Sequence, residues 1–323
     1  TLLTLLGRAN VYGALDMGLS PSLLPGRVSS TDGAAGQALE DSWGMLPDFE
    51  GRDAMSMLAG LSTGDLKALL LVGADPIRDC PDPDAATRAL DSAEFIVAVD
   101  AFLTDSSRHA DVFLPAAVWG EVRGTVTNLE GRVQAIRPSI DPVGQARPLN
   151  AVLEDLAYRM GMELGAAKVD EITAEIAATA PAYEGLTADY LTFEAGSEGA
   201  VVPLEGARQP LGHIPVDVSV PVVTNRMTLH LARALYDDGV WNRHAETIAA
   251  LPRDAVASIH PRDASVIAVQ DGDAVLIEDT YELPVVLDSD VAVGSISVPF
   301  NVPSTKGLAA TASVKVDPIR RSS

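Results

Sequence analysis

Between residues 68 and 100 the chain reads as strand, helix, strand, and this order limits the possible fold more than any other feature. Ala68-Leu69-Leu70-Leu71-Val72 is a short, unbroken apolar run. Such a run predicts a strand buried on both faces of a parallel sheet, because a strand with one wet face alternates instead. Gly73-Ala74-Asp75-Pro76 ends it with turn residues. Residues 84–92 predict a short helix, and Phe95-Ile96-Val97-Ala98-Val99-Asp100 a second buried strand. A helix between two such strands is a βαβ unit of a doubly wound sheet. Ligands in such sheets bind at the carboxyl ends of the strands, where Asp75 and Asp100 stand. Both are equally residues that close turns. No G-x-G-x-x-G loop accompanies them, so nothing predicts a dinucleotide site.

Further on, Val152, Leu153, Leu156 and Met160 recur at three- and four-residue spacing and predict a helix that Gly161 stops. A second helix starts near Asp170, with Ile172 and Ile176 on one face and Pro181 beyond it. Residues 182–217 show no period and read as an interdomain connection. From about Val218 the pattern turns to short strands: 228–236, 264–269, 274–277, 283–287 and 295–299. Asp237-Asp238-Gly239 and Asp271-Gly272-Asp273 mark turns between them. Short strands at regular spacing predict a small closed barrel. The expected division is an α/β domain over 1–180, a linker over 181–217 and a barrel over 218–323.

At 323 residues the chain has room for both domains. Its longest apolar runs fall far short of the roughly 20 residues that span a bilayer, so no membrane insertion is expected. Twenty-three basic residues against 45 acidic ones give a net charge of −22. Such a surface repels nucleic acid and anionic lipid and argues against binding either; solubility is its plain reading. The opening Thr1-Leu2-Leu3-Thr4 carries no basic-then-apolar leader and reads like the inside of a domain. The expectation is the C-terminal part of a longer polypeptide. Cys80, the single cysteine, cannot hold an iron–sulfur cluster, which needs about four thiolates. It reads as a buried small hydrophobe.

The stretch Gly124-Thr125-Val126-Thr127-Asn128-Leu129-Glu130-Gly131-Arg132-Val133-Gln134 has polar groups at uneven intervals. It predicts a surface loop folding back on itself, after a linker helix edge at Glu121. Its amides and guanidinium can grip neighbouring backbone, a phosphate or a pterin-like ligand. The glycine-containing segment from Gly7 to Gly18 predicts another loop, one in which backbone passes close to a neighbour. His109 is an acid–base candidate in type, but no acidic partner or nucleophile is legible beside it. It reads as a solvated histidine at a helix end.

Residues 124–134 resemble the G-T-x-x-N-x-E-[GR]-R-x-Q signature of the molybdopterin oxidoreductase superfamily. The Glu130-Gly131-Arg132 form is most similar to the large iron–sulfur subunit of respiratory complex I. Residues 10–26 resemble N-x-x-G-A-x-D-M-G-x-x-P-x-x-x-P-G of formate dehydrogenase-like proteins and their complex I relatives, continued by Trp43-Gly44-Met45-Leu46-Pro47 and Gly51-Arg52. Residues 100–115 resemble D-x-x-x-T-E-T…A-D-x-x-L-P, with Asp105 where Glu is usual. His260, Pro261, Asp263, Ala264, Asp271, Gly272, Asp273, Val275, Asp288, Val291, Gly294, Ile296 and Pro299 resemble the family's C-terminal double-psi barrel.

The resemblance runs in order from Asn10 to Pro299. It implies a doubly wound, mostly parallel α/β domain followed by a small double-psi β-barrel. In the molybdenum enzymes the barrel opens on a T-G-R-x-x-x-H-like cofactor strand. The matching stretch here, Leu231 to Gly239, keeps Arg233 but has Ala232 for Gly and Asp237 for His. That form is similar to the complex I subunit, in which the pterin site is lost. Thr224-Asn225-Arg226 with His230 is an alternative, displaced version of the cofactor motif. The resemblance therefore implies a scaffold with no catalytic, cofactor-binding or metal-binding residues and no molybdopterin. Iron–sulfur clusters relaying electrons from NADH toward quinone are expected in a missing N-terminal part. The implied partners are other subunits of the complex I peripheral arm, at the cytoplasmic side of the bacterial inner membrane. The alternative is the pterin-binding half of a molybdenum or tungsten oxidoreductase such as a formate dehydrogenase. A stand-alone binding module is a third reading.

Overall fold

The structure is a computed structural model that describes residues 8–31, 33–46, 49–165, 168–202, 226–251, 254–310 and 313–319. In chain order, helix α1 (Val11–Asp16) precedes the short ladder β1 (Leu23–Leu24) and β2 (Val28–Ser29), then α2 (Gly33–Trp43) and α3 (Ala54–Thr63). Next come β3 (Ala68–Val72), α4 (Pro76–Asp79), α5 (Pro83–Asp91), β4 (Phe95–Asp100) and β5 (Val112–Pro115). Strands β6 (Gly124–Thr127) and β7 (Arg132–Ile136) follow, then α6 (Leu149–Arg159), α7 (Val169–Thr179) and β8 (Ala200–Val201). The last part holds β9 (Arg226–Arg233), α8 (Val240–His244), β10 (Ala257–Ile259), α9 (Pro261–Ile267), β11 (Ala274–Ile277), β12 (Tyr281–Leu287), β13 (Ser295–Phe300) and β14 (Ser313–Pro318). No helix among the described residues is long and apolar enough to cross a membrane. The chain divides into two compact units that interleave along the sequence. One is Thr1–Gly73, Glu94–Ala101 and Ala110–Leu211; the other is Ala74–Ala93, Phe102–His109 and Gly212–Ser323. Residues 203–217 of the expected linker lie outside the described residues.

In the first unit β3, β4 and β5 form a parallel sheet in that order, with Leu70 opposite Val97 and Val97 opposite Val112. The parallel pairing matches the expectation from the apolar runs; the burial does not. Ile96 and Ala98 on β4 are 1% exposed, whereas Leu70 and Phe95 are 44% and 46% exposed. Strand β3 is an edge of the sheet among the described residues. Leu70, Val72, Phe95 and Val112 share one open face, as the two-residue side-chain period requires.

The glycine-containing opening segment is helical at its centre, where the sequence predicts a loop: α1 occupies Val11–Asp16. Its glycine does allow a close approach. A Cβ on Gly13 would collide with Asn10 Oδ1 and lie 3.2 Å from Thr127 Oγ1. Asn10 Oδ1 in turn accepts the Thr127 amide at 2.8 Å. Asp16, 2% exposed, accepts the Tyr183 hydroxyl at 2.7 Å and pairs with Arg27.

Residues 124–134 are a β-hairpin rather than a loop, pairing Gly124 with Ile136 and Thr127 with Val133. Asn128 shapes its turn, since its Oδ1 accepts the amides of Glu130 (2.9 Å) and Arg132 (3.0 Å). Gly131 takes φ +77, which a side chain resists. Glu121 is not at a helix edge. It lies in a turn and its carboxylate accepts the Val118 amide at 2.9 Å.

In the second unit six strands close a barrel in the order β10-β12-β11-β14-β9-β13. Pairs β10·β12 and β13·β9 are parallel and the rest antiparallel. Met227, Ile259, Val275, Ile277, Ile296, Val314 and Val316 fill the interior at 0% exposure. Each such side chain contributes about 1.5–3 kcal/mol of burial.

Residues 264–269, expected as a strand, belong mostly to α9. The helix-start chemistry outweighs the β-branched residues: His260 caps the Arg262 amide at 3.0 Å, Pro261 opens the first turn and Asp263 follows. Asp263 is fully buried and accepts the Gly294 amide at 2.6 Å, so two motif residues far apart in sequence form one contact.

The β11–β12 turn places Glu278 and Asp279 at φ 48 and 54, a type I′ geometry that prefers Asn-Gly. Each non-glycine residue in this region costs about 1–2 kcal/mol. Asp279 gains in return only an exposed pair with Lys315, which also holds Asp317, and pairs of this kind are weak. Asp279→Gly is therefore expected to raise stability by about 0.5 kcal/mol. It should appear as a higher urea midpoint with unchanged slope, and a lower midpoint would contradict strain in this turn.

Candidate functional site

The second unit collects the polar residues that the sequence sets far apart. Strand β9 ends at Arg233, which the parallel register places opposite Phe300 on β13. The guanidinium lies 5.1 Å from the Phe300 ring centre. Its Nη1 donates to Asp237 at 2.6 Å and its Nη2 to Asp79 on α4. Asp237, 8% exposed, also accepts the Gly239 amide at 3.0 Å and bonds Asn301 at 3.4 Å. The residue standing in the histidine's place thus closes the turn after β9 and neutralises the retained arginine.

Arg78, the neighbour of Asp79, makes a second clamp. Its Nε donates to Asp105 at 2.7 Å and its Nη1 to Asp238 at 2.8 Å, with only 10% of the side chain exposed. Lys306 reaches Asp105 as well, at 3.2 Å. Burial opposes the charge on Arg78, but the hydrogen bonds and charges of Asp105 and Asp238 outweigh it and hold its pKa above the ordinary value. Burial likewise opposes ionised Asp105, and the bonds from Arg78 and Lys306 outweigh it, so its pKa lies below the usual carboxylate value. A cavity of about 470 Å³ is lined in part by Arg78, Asp105, His109, Phe300 and Lys306. A groove of about 760 Å³ runs beside Arg233, Tyr236, Leu251 and Val286. Among the described residues the ion-pair cluster sets three cations, Arg78, Arg233 and Lys306, against four carboxylates, Asp79, Asp105, Asp237 and Asp238, and so carries no surplus positive charge.

The other sequence candidates fall into place as follows. Asp75 and Asp100 lie in different units, each engaged within its own. Asp75 accepts the Ser106 amide and hydroxyl at 3.1 and 2.6 Å, and Asp100 accepts the Ala101 amide at 2.7 Å. His109 does have an acidic partner: Nδ1 lies 2.9 Å from Asp91 Oδ1, eighteen residues upstream and outside any local pattern. Cys80 is 7% exposed, as expected of a small hydrophobe, and burial followed by the Asp79 charge pushes its thiol pKa up. Arg226 bonds the Ser313 carbonyl at 3.0 Å and His230 the Ser297 hydroxyl at 3.2 Å, while Thr224 and Asn225 lie outside the described residues. In the first unit the signature side chains bond inward, Arg132 to Glu130 and Gln134 to the Ser197 carbonyl. Arg78, Asp79, Asp238 and Lys306 carry no local signal in the sequence, because their partners arrive from as far as 201 residues away.

Asp105→Asn should cost about 2 kcal/mol, the loss of charge-assisted bonds that leaves Arg78 short of one partner. The contribution of Asp105 is complete above the unfolded carboxylate value of about 4 and fades as pH falls through the lower folded value. Unfolding of the parent protein should therefore lose stability more steeply below about pH 4 than the variant. Equal acid slopes would show that Asp105 is not the titrating partner.

Residues 3–159 match the family described as Molybdopterin oxidoreductase. The chain is 36% identical to an NADH-quinone oxidoreductase subunit of Rhizobium meliloti over 84% of its own length and 32% of that protein. It is 28% identical to the F420-dependent formate dehydrogenase subunit alpha of Methanocaldococcus jannaschii, over 91% of this chain and 47% of that one. It thus spans from about a third to just under a half of the length of these relatives. Acetylene hydratase from Pelobacter acetylenicus shares the fold, with a TM-score of 0.56 and 18% identity over 86% of this chain and 45% of that structure. The parallel sheet, the signature hairpin and the barrel follow one another in this order, and residues 3–159 form a molybdopterin oxidoreductase domain.

Proposed function

We propose that this chain is the scaffold portion of the large iron–sulfur subunit of an NADH-quinone oxidoreductase. In this reading electrons pass from NADH toward quinone through clusters held by other parts of the protein. The chain itself supports neighbouring subunits of the peripheral arm at the cytoplasmic face of the bacterial inner membrane. The barrel takes the double-psi form of the family, and no substrate chemistry occurs on this portion. The similarity to the NADH-quinone oxidoreductase subunit of Rhizobium meliloti supports the reading. The observation that carries it is the state of Arg233. A pterin dinucleotide brings a pyrophosphate, and the retained arginine of the cofactor strand is the group suited to receive it. Here that arginine is already bound by Asp79 and Asp237. An anion placed there meets Asp237 where a neutral or positive histidine is expected, with Asp105 and Asp238 in the adjoining clamp. These residues fit an anionic pterin cofactor poorly.

A second reading, the pterin-binding half of a molybdenum or tungsten oxidoreductase, draws on the formate dehydrogenase similarity over 91% of the chain. Elemental analysis of the native full-length protein distinguishes the two. Iron without molybdenum or tungsten, with NADH dehydrogenase subunits co-purifying, is the expected result. About one molybdenum or tungsten per polypeptide overturns the scaffold reading.

A further inference from the structure

The first unit contains a cavity of about 160 Å³ between α1, the signature hairpin, α7 and the segment around Leu191. Leu19, 77% exposed, and the exposed Thr125 mark its open side. Thr127 and Tyr183, each 5% exposed, close its inner end, and Ala14 and the 2% exposed Leu191 form apolar walls. The polar end has a fixed sense. Tyr183 gives its proton to Asp16 at 2.7 Å, so its hydroxyl proton is committed within the fold. A hydroxyl that has donated keeps an accepting lone pair, so Tyr183 presents an acceptor to whatever enters.

The volume matches that of a cavity of about 150 Å³ known to hold a single benzene ring. A ring alone leaves the acceptor at the inner end unused, whereas a ring bearing an O–H donor satisfies it. We infer that this cavity is a binding site for a small single-ring phenol, with the ring against Ala14 and Leu191 and the hydroxyl donating to the Tyr183 oxygen. The site lies within the first unit and shares no residue with the ion-pair cluster, so it stands or falls independently of the scaffold reading. A ligand of about seven heavy atoms in such a pocket binds with a Kd of about 1 mM.

The test is fluorine NMR of 4-fluorophenol with the purified full-length protein. Saturable line broadening, displaced by phenol, is expected, with fluorobenzene binding at least about fivefold more weakly for want of the donor. Ala14→Leu, which fills the ring's place, should abolish the broadening while circular dichroism stays unchanged. Should that variant fail to fold, the unmodified protein still decides the question: cross-relaxation between phenol ring protons and the Leu191 methyls is expected. No broadening, equal affinity for fluorobenzene, full binding by folded Ala14→Leu, or no transfer to Leu191 each overturn the assignment.

Discussion

Arg78 is the charge on which the second unit depends. Three separated stretches of chain, residues 74–93, 102–109 and the barrel, meet at its guanidinium and at that of Arg233. Each arginine holds one carboxylate from near the barrel strands and one from the inserted stretches. Forming such pairs gains little net free energy, since desolvation offsets most of the attraction. Losing a partner of Arg78 is different, because it strands a charge that is nine-tenths shielded from water. The cluster thus acts less as a source of stability than as a penalty on every arrangement that separates these stretches. The backbone bond from Ala310 to the Pro81 carbonyl, at 2.8 Å, works in the same direction.

What is readable in the sequence follows from short-range chemistry. The apolar runs at 68–72 and 95–100 predict parallel strands, and the Asp271-Gly272-Asp273 turn is built as its composition suggests, with Gly272 at φ +83. Asp271 and Asp273 accept backbone amides around it. The failures have equally definite causes. Ala264 to Val269 has strand-like composition, but a cap at His260 and a proline at 261 decide in favour of helix. The polar signature predicts a loop because its hydrophobic content is low; its strands are held by ladder bonds and by Asn128, which composition does not reveal. Partners of His109 and Arg78 are invisible because nothing local specifies a contact across tens or hundreds of residues.

The signature hairpin uses its polar side chains to build its own turn. Its Asn, Glu, Arg and Gln all have bonds to their own chain, two of them within the turn itself. Side chains engaged in this way fix the geometry of the turn. At the end of β9, Asp237 likewise holds its own turn through the Gly239 amide and Arg233, beside a fully buried barrel interior.

The open face of the parallel sheet has a consequence for handling. Leu70, Val72, Phe95 and Val112 line an exposed apolar face of the sort that adheres to other apolar surfaces. Opposing it is a net charge of −22, which repels other copies over a range of about 10 Å at 0.1 M salt. Colloidal behaviour is then a contest between a short-range adhesive patch and a screened, long-range repulsion. Added salt weakens only the second, so the solubility of this acidic polypeptide is expected to decline as ionic strength rises.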